Sequence, residues 1–261
     1  MLRNISTVFI TIILLLITGC SSLIPVPQVE LVSEKEAQQA WKRVLKIYVD
    51  AEGRVNFRSL GKKLNDLNRF LKFVSETDRS NFKNNSDKLA FLLNAYNALS
   101  MSLVITKDYP ADIDSFLKRA KFFAFTKMKI MQEEMSLYAL ENDIIRKEGD
   151  PRVHVALNCM SVGCPRLPRE PFMGNTLNSQ LEREAKLFFN EERNVKIVPQ
   201  EKTVYLSQIL DFFTDDFLAK KPTLIEYVNQ YSQKKIPLDY KVKFTPYNWT
   251  VNYSDPNYLG K

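Results

Sequence analysis

The chain has 261 residues and a formal net charge of +7, from 37 Lys and Arg against 30 Asp and Glu. This length allows one substantial hydrophobic core and is marginal for two. The basic residues are dispersed along the chain, as is usual for residues that keep a protein soluble. Charge dispersed in this way, without a basic patch, argues against nucleic acid as a partner.

The N-terminus has the pattern of a bacterial lipoprotein signal. A positively charged start precedes the apolar run Val8–Ile17, which is too short for a comfortable bilayer span, and Gly19 precedes Cys20. This predicts cleavage of a signal peptide, residues 1–19, and a lipid on Cys20, with a plain secretory signal or an uncleaved anchor as alternatives. Because Ser21 rather than aspartate follows, we expect the outer membrane, with the protein facing the periplasm.

The rest of the chain divides into a tether and one domain. Residues 20–32 contain two prolines and show no helical period, which predicts a short tether. Residues 33–261 contain no low-complexity linker and no internal repeat, so we expect a single globular domain. The expected partners are the membrane, through the lipid, and cell-wall peptide or another envelope component.

Helical patterns dominate the first half of the domain. A capping box at Ser33 and Glu36 opens a helix that ends near Tyr48, and a second helix is expected over 59–74. Ser86 is the expected N-cap of a third helix. This helix is apolar nearly all round, which predicts that it lies buried at the centre of the domain. Its sequence is DKLAFLLNAYNALSMSLVIT.

Strand and helix patterns alternate in the second half. The predicted strands are FFAFTKMKIM, RVHVALN, NVKIV, TVYLS and KVKFT, with NVKIV and TVYLS paired as a hairpin. The predicted helices are SLYALENDIIRK, with Ser136 as its N-cap, TLNSQLEREAKLFFN, LSQILDFFTDDFLAK and TLIEYVNQYS. The fold class is therefore α+β, with helices packed around a small, mostly antiparallel sheet and one buried central helix.

Two asparagines interrupt the apolar central helix. Asn94 and Asn97 lie three residues apart and so share one face. A buried amide needs hydrogen-bond partners, or it costs a few kcal/mol. These two side chains either tie the helix to neighbouring loops or line a cleft, where they orient a catalytic group or a substrate.

The segment DPRVHVALNCMSVGCP carries the residues best suited to chemistry. It contains His154, the only histidine of the chain, with Cys159 and Cys164. If RVHVALN is a strand, Arg152 and His154 share one face. Cys159 would then point away from His154 unless the chain turns near Asn158.

Three interpretations of this segment remain open. Cys159 or Cys164 is a nucleophile activated by His154, with Glu141 or Asn94 orienting the ring. Alternatively, the two cysteines form a disulfide, which an oxidising compartment favours. The third possibility is a metal site with one added carboxylate, although the spacing H-x4-C-x4-C matches no usual zinc pattern.

Five blocks of the sequence resemble the bacterial and plant family known as domain of unknown function 547. They lie between Leu89 and Asn252 and read LAFLLNAYNAL, SLYALENDIIR, DPRVHVALNCMSVGCP, LSQILDFFTDDF and YNWTVN. The resemblance supplies no reaction, but it implies that the Asn94 helix, the Glu141 helix and the His154 strand form one site. The family often has a histidine after that glutamate, where Asn142 stands here, so a metal site is less well supported.

These observations favour a lipid-anchored envelope protein with a polar cleft. In this hypothesis Cys159 attacks an acyl or amide carbon, His154 acts as base, and Glu141 or Asn94 orients the ring. The protein would be a thiol-dependent acyl transferase or amide hydrolase acting on a peptide or cell-wall substrate, without cofactor or metal. The expected substrate-binding residues are Tyr96, Asn97, Arg152 and Cys164.

Whether the protein is an enzyme stays open at this point. The alternative is a non-catalytic binding or assembly module of the envelope, in which a Cys159–Cys164 disulfide braces the loop that holds the ligand. A structural lipoprotein without a small ligand is a third possibility. The enzyme and the braced module make different uses of the same cysteine pair.

Overall fold

The computed structural model describes residues 21–255, so the predicted signal peptide and Cys20 lie outside the described residues. Two clusters of buried apolar side chains hold this part of the chain together. The first cluster is drawn mainly from residues 37–181 and the second from residues 185–236. Val155 packs with the second cluster although its chain neighbours belong to the first.

The first cluster is built on four helices that follow a two-residue strand, β1 (Ser22–Leu23). These are α1 (Glu34–Tyr48), α2 (Phe57–Gly61), α3 (Asn65–Glu76) and α4 (Asn85–Thr106). The predicted capping box of α1 is confirmed, since Ser33 Oγ accepts the Glu36 N–H and the Glu36 carboxylate accepts the Ser33 N–H. The single helix predicted over 59–74 is wrong, because the chain breaks it between α2 and α3.

Helix α4 is the predicted central helix, and its burial is confirmed. By length and composition it could cross a bilayer, but 83 % of its apolar 18-residue stretch is buried inside the protein. An apolar surface on all sides is what a helix surrounded by other elements requires. Its N-cap is Asn84 rather than Ser86, because Asn84 Oδ1 accepts the Asp87 N–H at 2.9 Å.

Short elements follow α4 and lead to the histidine. They are α5 (Phe116–Ala120), a π-helical turn (Lys121–Phe125), β2 (Thr126–Ile130), β3 (Glu133–Ser136), α6 (Leu137–Ala139) and a second π-helical turn (Leu140–Ile145). The strand predicted from Phe122 therefore begins only at Thr126. Ser136 caps α6 as predicted, with its Oγ accepting the Ala139 N–H at 3.2 Å. Two 3-10 turns, Arg146–Glu148 and Pro151–Val155, complete this region.

The strand predicted for RVHVALN is wrong, because Pro151–Val155 is a 3-10 helix. Asp150 caps this turn by accepting the Arg152 N–H at 3.0 Å, and proline at the first position favours a helical start. Val153, His154 and Val155 are all buried in this turn. The expected alternation, with Arg152 and His154 on one face, therefore does not occur.

The second cluster is assembled by the C-terminal elements. After the 3-10 turn Gly174–Thr176 these are α7 (Leu177–Asn190), β4 (Val195–Val198), β5 (Thr203–Ser207), α8 (Ile209–Phe212), α9 (Thr214–Leu218), α10 (Leu224–Tyr231) and β6 (Lys241–Thr245). A 3-10 turn, Pro199–Glu201, joins β4 to β5. The predicted hairpin is confirmed, with β4 antiparallel to β5. The one helix predicted for LSQILDFFTDDFLAK is divided at Phe213.

The α+β class is confirmed, with two small sheets in place of one. The first has the order β1-β2-β3 and the second β4-β5-β6. Each combines a parallel and an antiparallel pair, so both sheets are mixed. Because β1 lies parallel to β2, the residues next to the predicted lipid site are held against the middle of the chain.

Candidate functional site

A cavity of about 380 Å³ lies between the two clusters and holds most of the reactive side chains. His154, both cysteines and Glu141 line it, and so does Tyr96 of α4. Aromatic side chains form much of the remaining wall: Phe123, Tyr138, Phe212, Phe213, Tyr247 and Trp249. A larger cavity of about 680 Å³ lies beside α1 and α3, and none of the residues from 21–255 in its wall is a cysteine or a histidine. The smaller cavity is therefore the candidate site.

The two cysteines form a contacting pair of free thiols in this wall. Their sulfurs are 2.8 Å apart, and the backbone N–H of Cys159 donates to Cys164 Sγ at 3.0 Å. The hydroxyl of Tyr247 lies 3.3 Å from Cys159 Sγ and 3.0 Å from Cys164 Sγ. The hydroxyl of Ser161 lies 3.4 Å from Cys159 Sγ. The chain turns after Asn158, and this turn brings Cys159 against Cys164, whereas the predicted purpose of the turn was to bring Cys159 to His154.

This environment shifts the pKa values of the two thiols in opposite directions. Burial opposes ionisation of Cys159, but its hydrogen bonds with Cys164, Ser161 and Tyr247 outweigh burial and lower its pKa to about 7. Burial, with the neighbouring charge on Cys159, raises the pKa of Cys164 well above its ordinary value. Near pH 7 roughly half of the molecules therefore carry a charge on Cys159, while Cys164 keeps its proton.

Glu141 lies in the same cavity wall, and its pKa is close to that of Cys159. Burial raises the pKa of Glu141 to about 7, although a hydrogen bond from Tyr96 lowers it in part. Tyr96 Oη donates to Glu141 Oε2 at 3.0 Å. Negative charge on Cys159 also raises the pKa of Glu141, so the thiol and the carboxyl interact across the cavity. A carboxyl with a pKa near neutrality can both accept and return a proton.

His154 is engaged by Asp216 instead of by a cysteine. His154 Nε2 lies 2.7 Å from Asp216 Oδ2, and Arg146 forms a two-pronged ion pair with the same carboxylate at 2.7 and 2.9 Å. Phe213 stacks on the imidazole with ring centroids 3.9 Å apart. Burial lowers the pKa of His154 to about 4, although Asp216 opposes that shift, so the ring is neutral at pH 7. The Nδ1 atom of His154 has no hydrogen-bond partner within residues 21–255.

Three residues predicted for the site have other partners. Asn94 Oδ1 accepts from Trp41 Nε1 at 3.1 Å and from the Phe172 N–H at 3.0 Å, and Asn94 lines the larger cavity. Both polar atoms of the Asn97 side chain bond backbone groups of the loop that carries the cysteines. Arg152 is paired with Asp150 at 2.7 Å and is absent from the wall of the cysteine cavity. Thus Asn94 does not orient the His154 ring, and Asn97 and Arg152 are not placed to meet a ligand there.

Asn97 ties α4 to the loop that carries the cysteines. Its Nδ2 donates to the Ala156 carbonyl at 3.0 Å, and its Oδ1 accepts the Asn158 N–H at 2.8 Å. Asn97→Ala would leave both buried backbone groups without a partner, and we expect it to lower the free energy of unfolding by about 2 to 3 kcal/mol. Urea denaturation measures this. Asn65→Ala, at an exposed position of α3, is the control, and an equal loss in both variants would contradict the assignment.

The sequence interpretation missed the residues that engage the predicted ones. Asp216 holds His154, while Tyr247 and Ser161 contact the thiols. Asp216 and Tyr247 lie in the fourth and fifth blocks that resemble the family, and this was the one feature of the sequence that could have pointed to them. No spacing rule links either residue to the histidine or the cysteines.

Within residues 21–255, no group of three or more His, Cys, Asp and Glu side chains is arranged to hold a metal ion. Comparison with curated proteins and comparison with solved structures each gave no match. A family comparison did give one, and the matched segment contains the central helix, Glu141, His154 and both cysteines. Residues 80–189 match the family described as "Protein of unknown function, DUF547", and over this segment the chain resembles that family.

Proposed function

We propose that Cys159 is the nucleophile of a thiol-dependent acyl transferase or amide hydrolase that acts on a peptide or cell-wall substrate. The observation that carries this proposal is the set of hydrogen bonds around Cys159 Sγ, which lowers its pKa to about 7 at the wall of a cavity. The thiolate is the reactive form of cysteine, and a pKa near neutrality makes it abundant without removing its nucleophilicity.

Glu141 takes the role of base that the sequence alone assigned to His154. The carboxylate accepts the thiol proton, and Cys159 Sγ forms a bond to the carbonyl carbon of the substrate. The resulting tetrahedral intermediate collapses, its C–N bond breaks, and Glu141 returns the proton to the leaving amine. Water or an acceptor amine, deprotonated by Glu141, then attacks the thioester and releases Cys159 as the thiol.

His154 serves in this scheme as a positioning residue. Its ring is fixed between Asp216 and Phe213, and its pKa of about 4 keeps it neutral. A neutral ring adds no positive charge that would disfavour a protonated Glu141. The Arg146–Asp216–His154 network thereby joins the second cluster to the cavity.

The size and lining of the cavity are compatible with part of a peptide. A volume of about 380 Å³ lies at the lower end of the range for small-ligand sites. Tyr138 and Phe212 are exposed in its wall, at positions where they would contact an incoming chain. Our proposal places this reaction at the periplasmic face of the outer membrane, with Cys20 lipidated, on the strength of the N-terminal pattern.

The proposal is tested by trapping the acyl intermediate. Reduced full-length protein is incubated with p-nitrophenyl acetate and digested, and the acetylated residue is identified by mass spectrometry. We expect the thioester on Cys159, with an alkylation rate by iodoacetamide that rises with a midpoint near pH 7. Acetylation confined to lysines, together with a midpoint near the ordinary thiol value of about 8.5, would sink the proposal.

The contact between the sulfurs favours a second candidate, a binding module braced by a disulfide. Sulfurs 2.8 Å apart need only a small displacement to bond, and an oxidising compartment would promote this. In that case protein purified from the envelope without reductant would resist alkylation at both cysteines until it is reduced. Rapid alkylation of Cys159 in the same preparation would exclude the braced module.

A further inference from the structure

A short surface segment beside the cavity exposes large apolar side chains. Phe116 is 80 % exposed and Leu117 is 56 % exposed on α5, and Phe125 at the end of the following π-helical turn is also exposed. Aromatic and aliphatic side chains displayed together in this way mark a surface that meets an apolar partner. We call residues 115–127 the aromatic-basic segment.

The positive charge of this segment indicates that its partner is negatively charged. Residues 115–127 contain four basic residues and no acidic residue. Lys118 is paired with Asp112 at 2.7 Å and Arg119 lies 3.9 Å from Asp114. The remaining two, Lys121 and Lys127, form no salt bridge with any residue in 21–255. Apolar side chains interspersed with lysine and arginine are typical of segments that lie in the interface of an anionic membrane.

The pairing of β1 with β2 brings the predicted lipid site close to the same segment. Ser22 is paired with Thr126 and Leu23 with Lys127, and the Ile24 N–H donates to the Lys127 carbonyl at 2.9 Å. Cys20 stands only two residues before Ser22 in the chain. A lipid on Cys20 would therefore enter the bilayer next to the aromatic-basic segment.

The segment also contributes to the wall of the candidate site. Phe123 and Trp249 line the cavity, with their ring centroids 6.2 Å apart. The guanidinium of Arg119 lies 4.9 Å from the centroid of the Trp249 ring. The aromatic-basic segment thus carries the exposed apolar side chains and also forms part of the cavity wall.

We propose that the aromatic-basic segment is a docking surface for an anionic phospholipid bilayer and that it orients the cavity toward the membrane. The inference rests on the lipid anchor included in the proposed function, and it is independent of the chemistry of Cys159. Phe116, Leu117 and Phe125 enter the interface while the lysines meet lipid phosphates. Substrates of the cavity would then be those displayed at the membrane surface.

Fluorescence quenching in vesicles tests the docking surface. Full-length lipidated protein carrying Phe116→Trp is reconstituted with phosphatidylglycerol and phosphatidylethanolamine that have brominated acyl chains, and the parent signal of Trp41 and Trp249 is subtracted. Leu238→Trp is the matched control, since Leu238 is 65 % exposed but belongs to the C-terminal part of the chain. We expect quenching at position 116 to exceed that at position 238 by roughly twofold or more.

Charge reversal supplies a second readout. Lys121→Glu with Lys127→Glu should reduce the quenching of the indole introduced by Phe116→Trp, whereas the exposed pair Lys62→Glu with Lys63→Glu should not. Association with vesicles but equally weak quenching at positions 116 and 238 would overturn the docking surface, and a protein occupant of the segment would give that result. Acetylation of Cys159 in detergent would be unaffected by this failure, which separates it from failure of the proposed function.

Discussion

Cys159→Ser is expected to reduce acyl transfer from an activated ester by roughly a thousandfold or more. Serine keeps the shape and the hydrogen bonds of the side chain, but its hydroxyl is far less acidic than a thiol whose pKa is about 7. Stopped-flow release of p-nitrophenol from p-nitrophenyl acetate measures the acylation step directly. Circular dichroism of the variant checks that the loss is chemical and not structural.

Cys164→Ser is the matched control for that experiment. A serine hydroxyl can still donate toward Cys159 Sγ, so we expect acylation within about tenfold of the parent rate. The parent should lose activity on mild oxidation and recover it on reduction, because the sulfurs lie 2.8 Å apart. The Cys164→Ser variant should lack this reversible loss. Equal acylation rates in the parent and Cys159→Ser would refute the assignment of the nucleophile.

Glu141→Gln is expected to stabilise the protein in alkaline solution while abolishing proton transfer. The pKa of Glu141 is raised from its ordinary value to about 7 in the fold, so its contribution to stability is complete below pH 4.5 and is lost as the pH rises through 7. Removing the ionisable group should therefore raise the free energy of unfolding at pH 8 by up to about 3 kcal/mol. Solvent entering the cavity reduces this figure, since Glu141 borders it.

The same variant should become more sensitive to acid. The pKa of His154 is lowered to about 4, so its contribution to stability is present above pH 6.5 and is lost as the pH falls to 4. In the parent, Glu141 opposes that slope over the overlapping range. Urea denaturation from pH 4 to 8 measures both effects, with Glu134→Gln on the exposed edge of β3 as control. If the Glu141→Gln variant is less stable than the parent at pH 8, the claim that burial raises the pKa of Glu141 is wrong.

Local patterns in the sequence were sufficient to predict much of the secondary structure. The capping box at Ser33, the all-apolar α4 and the hairpin of β4 and β5 each depend on neighbours within a few residues, and each is confirmed. The failures lie where local patterns are ambiguous. Alternating RVHVALN satisfies a strand pattern, but Asp150 and Pro151 start a 3-10 turn that buries both Val153 and His154.

The site was harder to predict because its contacts are distant in the chain. His154 and Asp216 are 62 residues apart, and Cys159 and Tyr247 are 88 apart, so no periodicity connects them. The cysteines and Glu141 do line one cavity. Asn94 instead lines the larger cavity. A buried amide must satisfy its hydrogen bonds with the groups nearest to it, and for Asn94 these include the backbone of Phe172.

The position of the cavity between two separately packed clusters has a consequence for how thiol reactivity should be measured. If the second cluster opens as a cooperative unit while the first stays folded, the bonds of Asp216 to His154 and of Tyr247 to the sulfurs break together. Alkylation would then proceed through rare openings as well as through the closed cavity. Amide hydrogen exchange at β5 and α10 measures how often such openings occur. Alkylation through these openings is the minimum rate that any measurement on Cys159 would show.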